Sequence, residues 1–165
     1  FQTRFDRSPA GLSFLIVGAG GAARSIVESL GRADASTVTV ANRTVGKADD
    51  AATLAPQATA VALADVGPAE VAAVDVVVNT TAVGMAGGPS PDGSPIPVEG
   101  LHGDQRVVDI VYQPRMTPLL VAAADAGAAT DGGVAMLIGQ AALAFELWTG
   151  VDAPLAAMTA AVEDR

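Results

Sequence analysis

SFLIVGAGGAARSIVESL, residues 13–30, is the stretch of the chain that decides the fold. Residues 13–17 are apolar after the opening serine and are followed by a glycine-rich turn, as expected of a strand buried on both faces of a sheet. Residues 22–30 then follow the spacing of an amphipathic helix, with Ile26, Val27 and Leu30 on one side. The stretch therefore predicts a strand, a tight glycine turn and a helix in direct succession.

The turn Gly18-Ala19-Gly20-Gly21-Ala22-Ala23 fits the pattern G-x-G-x-x-G/A. In that pattern the first glycine permits the tight turn, the second lets the backbone approach a pyrophosphate, and a small sixth residue lets helix and strand pack closely. The helix start adds free N–H groups and the positive end of its dipole. The placement of the motif between strand and helix predicts a dinucleotide site. A plain strand-turn-helix corner is the alternative.

The remainder of the chain alternates strand-like and helix-like runs, which predicts a single α/β domain of the doubly wound Rossmann type, a mostly parallel sheet with helices on both faces. The further strands are predicted at 37–41, 59–63, 74–79, 106–111 and 128–130, and the helices at 45–54, 68–73, 118–126, 133–148 and 155–162. Residues 87–103, rich in Gly and Pro, predict a long loop of the kind that is usually functional or mobile. We divide the chain into a lead-in (1–12), the Rossmann domain (13–150) and a C-terminal helix (151–165).

Composition excludes several classes of function. The chain has 165 residues, of which 50% are hydrophobic and 16% charged, so one packed domain is expected. Its formal net charge of −9 disfavours nucleic acid and anionic membrane surfaces as partners. Because it has no cysteine and a single histidine, His102, which is expected to be solvated in the long loop, no metal site is predicted. No apolar run reaches the ~20 residues of a membrane span and no signal peptide is evident, so a cytoplasmic location is expected.

The end of the predicted second strand distinguishes between two coenzymes. About 20 residues after the glycine turn, an NAD-binding domain carries an acidic residue that holds the ribose 2′-OH. This chain has Asn42, Arg43 and Thr44 there, with Lys47 one helical turn further on. A guanidinium fork, a point charge and two hydrogen-bonding side chains suit a 2′-phosphate, so NADP is predicted. Solvated cations at the start of an exposed helix are the alternative, although the helix dipole favours anions there.

Two polar side chains are candidates for contact with a substrate. Tyr112 follows a predicted buried strand at its C-terminal end, where doubly wound sheets bind ligands, and its phenol can donate a hydrogen bond. Gln140 places an amide in the apolar stripe of the longest predicted helix, and a buried amide needs partners. A half-buried tyrosine at a strand end and an amide bonded to a neighbouring loop are the alternatives. Asp109 is expected to orient its loop rather than to catalyse.

Five motifs, in order and spacing, resemble the shikimate dehydrogenase family. They are GAGGAAR (18–24), ANRT (41–44), VNTTAVGM (78–85), DIVYQPRMTPLL (109–120) and DGGVAMLIGQAALAFELWTG (131–150). The last two serve substrate and nicotinamide in that family, and are therefore more specific than the glycine turn. The resemblance implies an NADP-dependent oxidoreductase that interconverts 3-dehydroshikimate and shikimate in the route to aromatic amino acids. A related enzyme acting on quinate is similar in this half of the protein and stays an alternative.

The resemblance also implies roles for individual residues. Gly18 would belong to the coenzyme site as the first glycine of the turn. The other coenzyme contacts would be Gly20, Gly21 and Ala22 at the pyrophosphate, Asn42, Arg43, Thr44 and Lys47 at the 2′-phosphate, Asn79, Thr80 and Val83 on the loop beside the riboses, and Ile110, Gly133 and Met136 at the nicotinamide. The substrate contacts would be Tyr112 and Gln140.

The family's catalytic pair is missing from this sequence. The resemblance implies a Lys and an Asp from an N-terminal substrate domain, whereas this chain has one lysine, Lys47, assigned to the coenzyme. The chain, which begins at Phe1, is therefore expected to be a fragment of a longer enzyme with a substrate domain upstream, and to be inactive alone. An isolated NADP-binding module is the alternative. Residues 151–165 would pack on the missing domain or pair with another copy of the chain.

Overall fold

The structure, a computed structural model that describes residues 6–163, contains six strands and six α-helices in that range. The strands are β1 (Ser13–Val17), β2 (Thr37–Asn42), β3 (Ala58–Ala62), β4 (Val76–Asn79), β5 (Arg106–Asp109) and β6 (Ala129–Gly132). The helices are α1 (Gly21–Arg32), α2 (Val45–Ala52), α3 (Pro68–Ala72), α4 (Pro118–Asp125), α5 (Val134–Thr149) and α6 (Leu155–Glu163). Among these residues no helix is long and apolar enough to cross a membrane.

The strands form one sheet in the order β3-β2-β1-β4-β5-β6, and all five pairings are parallel. This is the doubly wound order in which the chain first builds outward from β1 in one direction and then in the other. The direction of strand addition reverses between β1 and β4. These two strands are paired in register from Phe14 opposite Val76 to Val17 opposite Asn79. The predicted Rossmann-type fold is confirmed, and the crevice where such sheets bind ligands lies at the carboxyl ends of these two strands.

The sheet separates two hydrophobic cores, which explains the uninterrupted apolar runs in its central strands. Phe14 and Ile16 of β1 pack with residues of α1 and α2 on one face. Leu15 and Val17 pack with residues of α3 and α4 on the other. Because successive side chains of a strand point to opposite faces, a strand covered on both sides must be apolar throughout.

Two strands are shorter than the hydrophobic runs predicted. β5 ends at Asp109 rather than Val111 because the Asp109 carboxylate accepts a hydrogen bond from the backbone N–H of Val111 at 3.0 Å, which turns the chain. β4 begins at Val76, and Asp75 just before it bonds Ser13 of β1 through both its carboxylate and its backbone N–H.

The predicted loop of residues 87–103 has structure of its own. It contains a short 3-10 helix, Val98–Gly100, and buries Ile96 and Leu101 in the second core. His102 was expected to be solvated, and in the structure its side chain is half-buried, with a ring contact at the surface. Its ring Nε2 lies 3.3 Å from the carbonyl oxygen of Ala72, and its backbone N–H donates to Gln105 Oε1 at 3.0 Å. The side chain therefore helps to attach this loop to the end of α3.

Candidate functional site

The glycine turn brings β1 directly to the start of α1. Gly18 has φ +107°, a conformation that favours glycine, and a Cβ there would overlap the Thr80 hydroxyl. That hydroxyl donates to the Val17 carbonyl at 2.7 Å, so β1 and the loop after β4 touch at this point. Ahead of α1 the space is open, because a Cβ on Gly20 or Gly21 would meet no other atom within 4 Å. The unbonded N–H groups of the first helical turn therefore have room for an anionic group.

A cavity of about 400 Å³ lies beside this turn and is called the first cavity. It is lined by Ala19, Gly20, Asn42, Arg43, Thr44, Lys47, Leu63, Thr81, Ala82, Val83 and Pro89. The structure thus brings the glycine turn together with all four residues predicted to hold a 2′-phosphate. The Asn42 amide donates to the Thr44 carbonyl at 2.9 Å, which shapes the loop that carries Arg43.

The charge of the first cavity is positive along one wall. Arg43 and Lys47 are both exposed, at the beginning of α2, and the first turn of that helix has no acidic residue. The residues that line the cavity include no Asp or Glu. An anion can therefore approach both cations without meeting a carboxylate of this wall.

A second cavity of about 330 Å³ lies at the carboxyl ends of β4 and β5. Its lining is Thr80, Thr81, Ala82, Met85, Ala86, Ile110, Val111, Tyr112 and Gln113. One wall is the loop after β4 and the other is the loop after β5. Thr81 and Ala82 line both cavities, so the two spaces meet at the loop after β4. This is the arrangement that a long, two-ended ligand requires.

A buried carboxylate joins the two walls of the second cavity. Asp109 accepts hydrogen bonds from Asn79 Nδ2 at 3.0 Å, from the Val111 N–H at 3.0 Å and from the Thr117 hydroxyl at 2.7 Å. Burial raises the pKa of the Asp109 carboxyl, while the bonds from Val111, Thr117 and Asn79 act to lower it. All its contacts are structural, as expected of a residue that orients its loop.

Asn79 was predicted to be a loop residue beside the riboses, and the structure corrects this. It is the last residue of β4, fully buried, and both ends of its amide are used within the protein. Nδ2 donates to Asp109 and, at 3.3 Å, to the Val83 carbonyl, while Oδ1 accepts from the N–H and hydroxyl of Thr81. Asn79 therefore shapes the loop after β4 from beneath and presents none of its polar atoms to a ligand.

Helix α5 begins at the second cavity and then leaves it. Gly133, just before α5, donates its N–H to the Val111 carbonyl at 3.0 Å, and a Cβ there would overlap the Ile110 carbonyl. Met136, 39% exposed, and Gln140, also exposed, lie further along the helix and line neither cavity.

The expectation of a buried Gln140 amide is therefore wrong for the described chain. Ala142 is the one residue of α5 that is buried there, and Leu147 is 83% exposed. Of the apolar stripe that suggested burial, Met136 and Leu147 are exposed and Leu137 and Ala144 are half-buried.

Sequence reasoning missed several lining residues. Thr81 and Ala82 lie within the VNTTAVGM motif, so their position between two named contacts was an available signal. Leu63 directly follows β3, and Pro89 lies in the loop of residues 87–103. No local sequence pattern marks either residue as part of a site. They reach the first cavity through the packing of distant segments.

The fold and the two cavities define this chain as a Rossmann domain of the dinucleotide-binding class. The family profile described as shikimate / quinate 5-dehydrogenase matches residues 2–85, and that of the shikimate 5′-dehydrogenase C-terminal domain matches residues 133–163. The chain belongs to the shikimate dehydrogenase family.

Relatives of known name agree with this assignment. A shikimate dehydrogenase (NADP(+)) of Halorubrum lacusprofundi is 49% identical over 95% of this chain and 56% of that protein. A solved quinate dehydrogenase of Corynebacterium glutamicum in complex with NAD is 29% identical, with TM-score 0.89 over 99% of this chain and 58% of that one. A solved shikimate dehydrogenase in complex with NADP+ is 34% identical, with TM-score 0.85 over 99% and 57%. This chain spans little more than half the length of these relatives.

Proposed function

We propose that this chain is the NADP(H)-binding part of a shikimate dehydrogenase that interconverts 3-dehydroshikimate and shikimate. The observation that carries the proposal is the first cavity, where Arg43 and Lys47 lie beside the open start of α1. The 2′-phosphate would be held by Asn42, Arg43, Thr44 and Lys47, and the pyrophosphate by the backbone of Gly20, Gly21 and Ala22. The coenzyme supplies a hydride to, or accepts one from, the substrate carbon.

The second cavity supports a place for the nicotinamide end and the substrate. Its Thr80, Ile110 and Tyr112 were all predicted contacts, and it joins the first cavity at Thr81 and Ala82. Tyr112 is half exposed, so its phenol is free to reach a hydroxyl or carboxylate of a bound molecule. Gly133 supports the same wall, whereas Met136 and Gln140 would take part from α5 only when the rest of the protein covers that helix.

Turnover needs an acid–base group beside the reacting carbon, and the described residues place none in the second cavity apart from Tyr112. Reduction of a ketone to an alcohol transfers a proton to the oxygen, and a positioned acid accelerates that step. The lining of the second cavity contains one titratable side chain, the phenol of Tyr112, while Lys47 lies in the first cavity. We therefore propose that the acid–base pair belongs to a substrate domain in a longer protein, and that the isolated chain binds the coenzyme without turnover.

Quinate is the second candidate substrate, because a quinate dehydrogenase shares the fold at TM-score 0.89. That relative was solved with NAD, whereas the cations of the first cavity favour a 2′-phosphate. The cations therefore support NADP as the coenzyme, and shikimate is the preferred substrate because the relative that is 49% identical is named a shikimate dehydrogenase (NADP(+)).

Calorimetric titration of the purified chain with NADP+ and with NAD+ tests the coenzyme, and we expect NADP+ to bind at least about tenfold more tightly. Equal affinities, or tighter binding of NAD+, would overturn the assignment. Shikimate and quinate are then added with NADP+, and the absorbance of the reduced nicotinamide is followed. Reduction above background by the homogeneous chain would overturn the proposal that the acid–base pair lies elsewhere.

A further inference from the structure

The loops after β4 and β5 are joined near their bases by one side chain. On the β4 side, Asn79 Nδ2 donates to Asp109 Oδ1 at 3.0 Å, and Asn79 Oδ1 accepts from the Thr81 N–H at 2.9 Å and its hydroxyl at 2.7 Å. Thr81 is part of the lining of both cavities. The position of the first wall therefore depends, through Asn79, on the Asp109 carboxylate.

On the β5 side the same carboxylate acts directly. Oδ1 accepts from the Val111 N–H at 3.0 Å, and Oδ2 accepts from the Thr117 hydroxyl at 2.7 Å. Thr117 in turn caps α4 by accepting the Leu120 N–H at 3.3 Å. The segment between these two anchors carries Tyr112, so its course is set at both ends by one buried group.

We infer that Asp109 is a positioning residue that holds the two walls of the second cavity in register, and so places the nicotinamide end of the coenzyme. The inference rests on the proposed function, because it takes that end to occupy the second cavity. Backbone bonds also join the walls, from Ile110 to Asn79 at 3.0 Å and from Ala86 to Gln113 at 2.9 Å. Loss of the carboxylate therefore loosens the walls without detaching them.

Such a role has a signature that a general loss of stability lacks. The side of the first cavity that is proposed to hold the 2′-phosphate is formed by Asn42 at the end of β2 and by Arg43 and Lys47 after it, none of which Asp109 touches, whereas Thr81 is shared with the second cavity. Adenosine 2′,5′-bisphosphate, which has no nicotinamide, reports mainly on the side of the first cavity that carries Arg43 and Lys47. NADPH reports on both cavities, and the fluorescence of its reduced nicotinamide responds to the surroundings of the ring.

The experiment compares the wild-type chain with Asp109→Ala, Asp109→Asn and the matched control Asp104→Ala, which removes the same charge from an exposed turn. For Asp109→Ala we expect NADPH affinity to fall about tenfold or more and its bound fluorescence change to be lost. Affinity for the bisphosphate should fall much less than that for NADPH, because Arg43 and Lys47 are unaffected and, on the wall linked to Asp109, only Thr81 is shared by the two cavities. Asp109→Asn should restore most NADPH binding, since its amide oxygen can still accept from Val111 and Asn79 while its NH₂ can donate to the Thr117 hydroxyl. Asp104→Ala should match the wild type.

Two results separate this inference from the proposed function. If the wild-type chain binds neither ligand, the proposed function fails. If it binds both, and Asp109→Ala weakens them equally or weakens neither, the positioning role is overturned. Should Asp109→Ala not fold, Thr117→Val takes its place, because it keeps the carboxylate and removes the hydroxyl that donates to Oδ2 and caps α4. It should weaken NADPH selectively, and an equal loss of both ligands refutes the inference.

Discussion

Replacement of Arg43 by alanine tests the coenzyme assignment at a single side chain. Arg43 lines the first cavity at the end of β2, with Lys47 beside it at the start of α2. The substitution removes the planar donor that can bond two oxygens of a phosphate, and leaves the point charge of Lys47. NADP+ and NAD+ differ only in the 2′-phosphate, so the loss should appear with one coenzyme and not with the other.

The size of the effect follows from the exposure of the side chain. A hydrogen bond to a charged group contributes about 1.5–3 kcal/mol, or roughly 10- to 150-fold in affinity. Since Arg43 is exposed, solvent and salt screen its interaction, and we expect the lower end of that range, about tenfold. The loss should grow when the ionic strength is lowered.

Calorimetric titration with both coenzymes measures this directly, and Arg32→Ala is the control, because it removes the same charge from an exposed site that lines neither cavity. NADP+ should weaken about tenfold with Arg43→Ala and NAD+ should not change. An Arg43→Asp change should move the preference toward NAD+, because a carboxylate there can accept from the ribose 2′-OH. Equal losses for the two coenzymes would refute the assignment of Arg43 to the 2′-phosphate.

Three further predictions concern stability. The Ser13 N–H and hydroxyl donate hydrogen bonds to the Asp75 carboxylate at 2.8 and 2.7 Å and lower the pKa of that carboxyl. Their contribution to the free energy of unfolding is therefore fully present above the ordinary pKa of 3.8 and is lost as the pH falls through the lowered pKa. Asp75→Ala should therefore cost about 1 kcal/mol in urea unfolding at neutral pH, and a difference that does not shrink in acid would contradict this. Gly133→Ala should destabilise the chain by about 1–3 kcal/mol, because the added Cβ would overlap the Ile110 carbonyl. Gly139→Ala, where a Cβ meets no other atom within 4 Å, should instead stabilise α5 by about 0.5–1 kcal/mol. Similar changes in the free energy of unfolding for the two variants would show that the close approach at Gly133 is not required. With a net charge of −9, the chain should gain a few degrees in Tm as NaCl rises from about 0.05 to 1 M, because screening weakens self-repulsion, and a falling Tm would exclude that cause.

Most of the fold and half of the site were open to prediction because their signals are local. The apolar run of β1, the glycine turn and the pair Arg43 and Lys47 each lie within a few consecutive residues. Such patterns report which face of an element is buried and what a turn can accommodate. The ends of the strands were predicted less accurately, because the side chain of Asp109, and not a change in hydrophobicity, ends β5.

The sequence by itself determined the alternation of strands and helices, the open start of α1 and the cations that follow β2. Only the tertiary structure decided that Leu63 and Pro89 line the first cavity, that Asn79 is buried, and that Gln140 is exposed. The physical reason is the distance along the chain over which the decisive contacts form. Asn79 and Asp109 are 30 residues apart and meet because β4 and β5 are neighbours in the sheet, which no local pattern encodes. Burial of the apolar face of α5 likewise depends on what packs against it, and periodicity alone indicates that a face is apolar, not that a partner covers it.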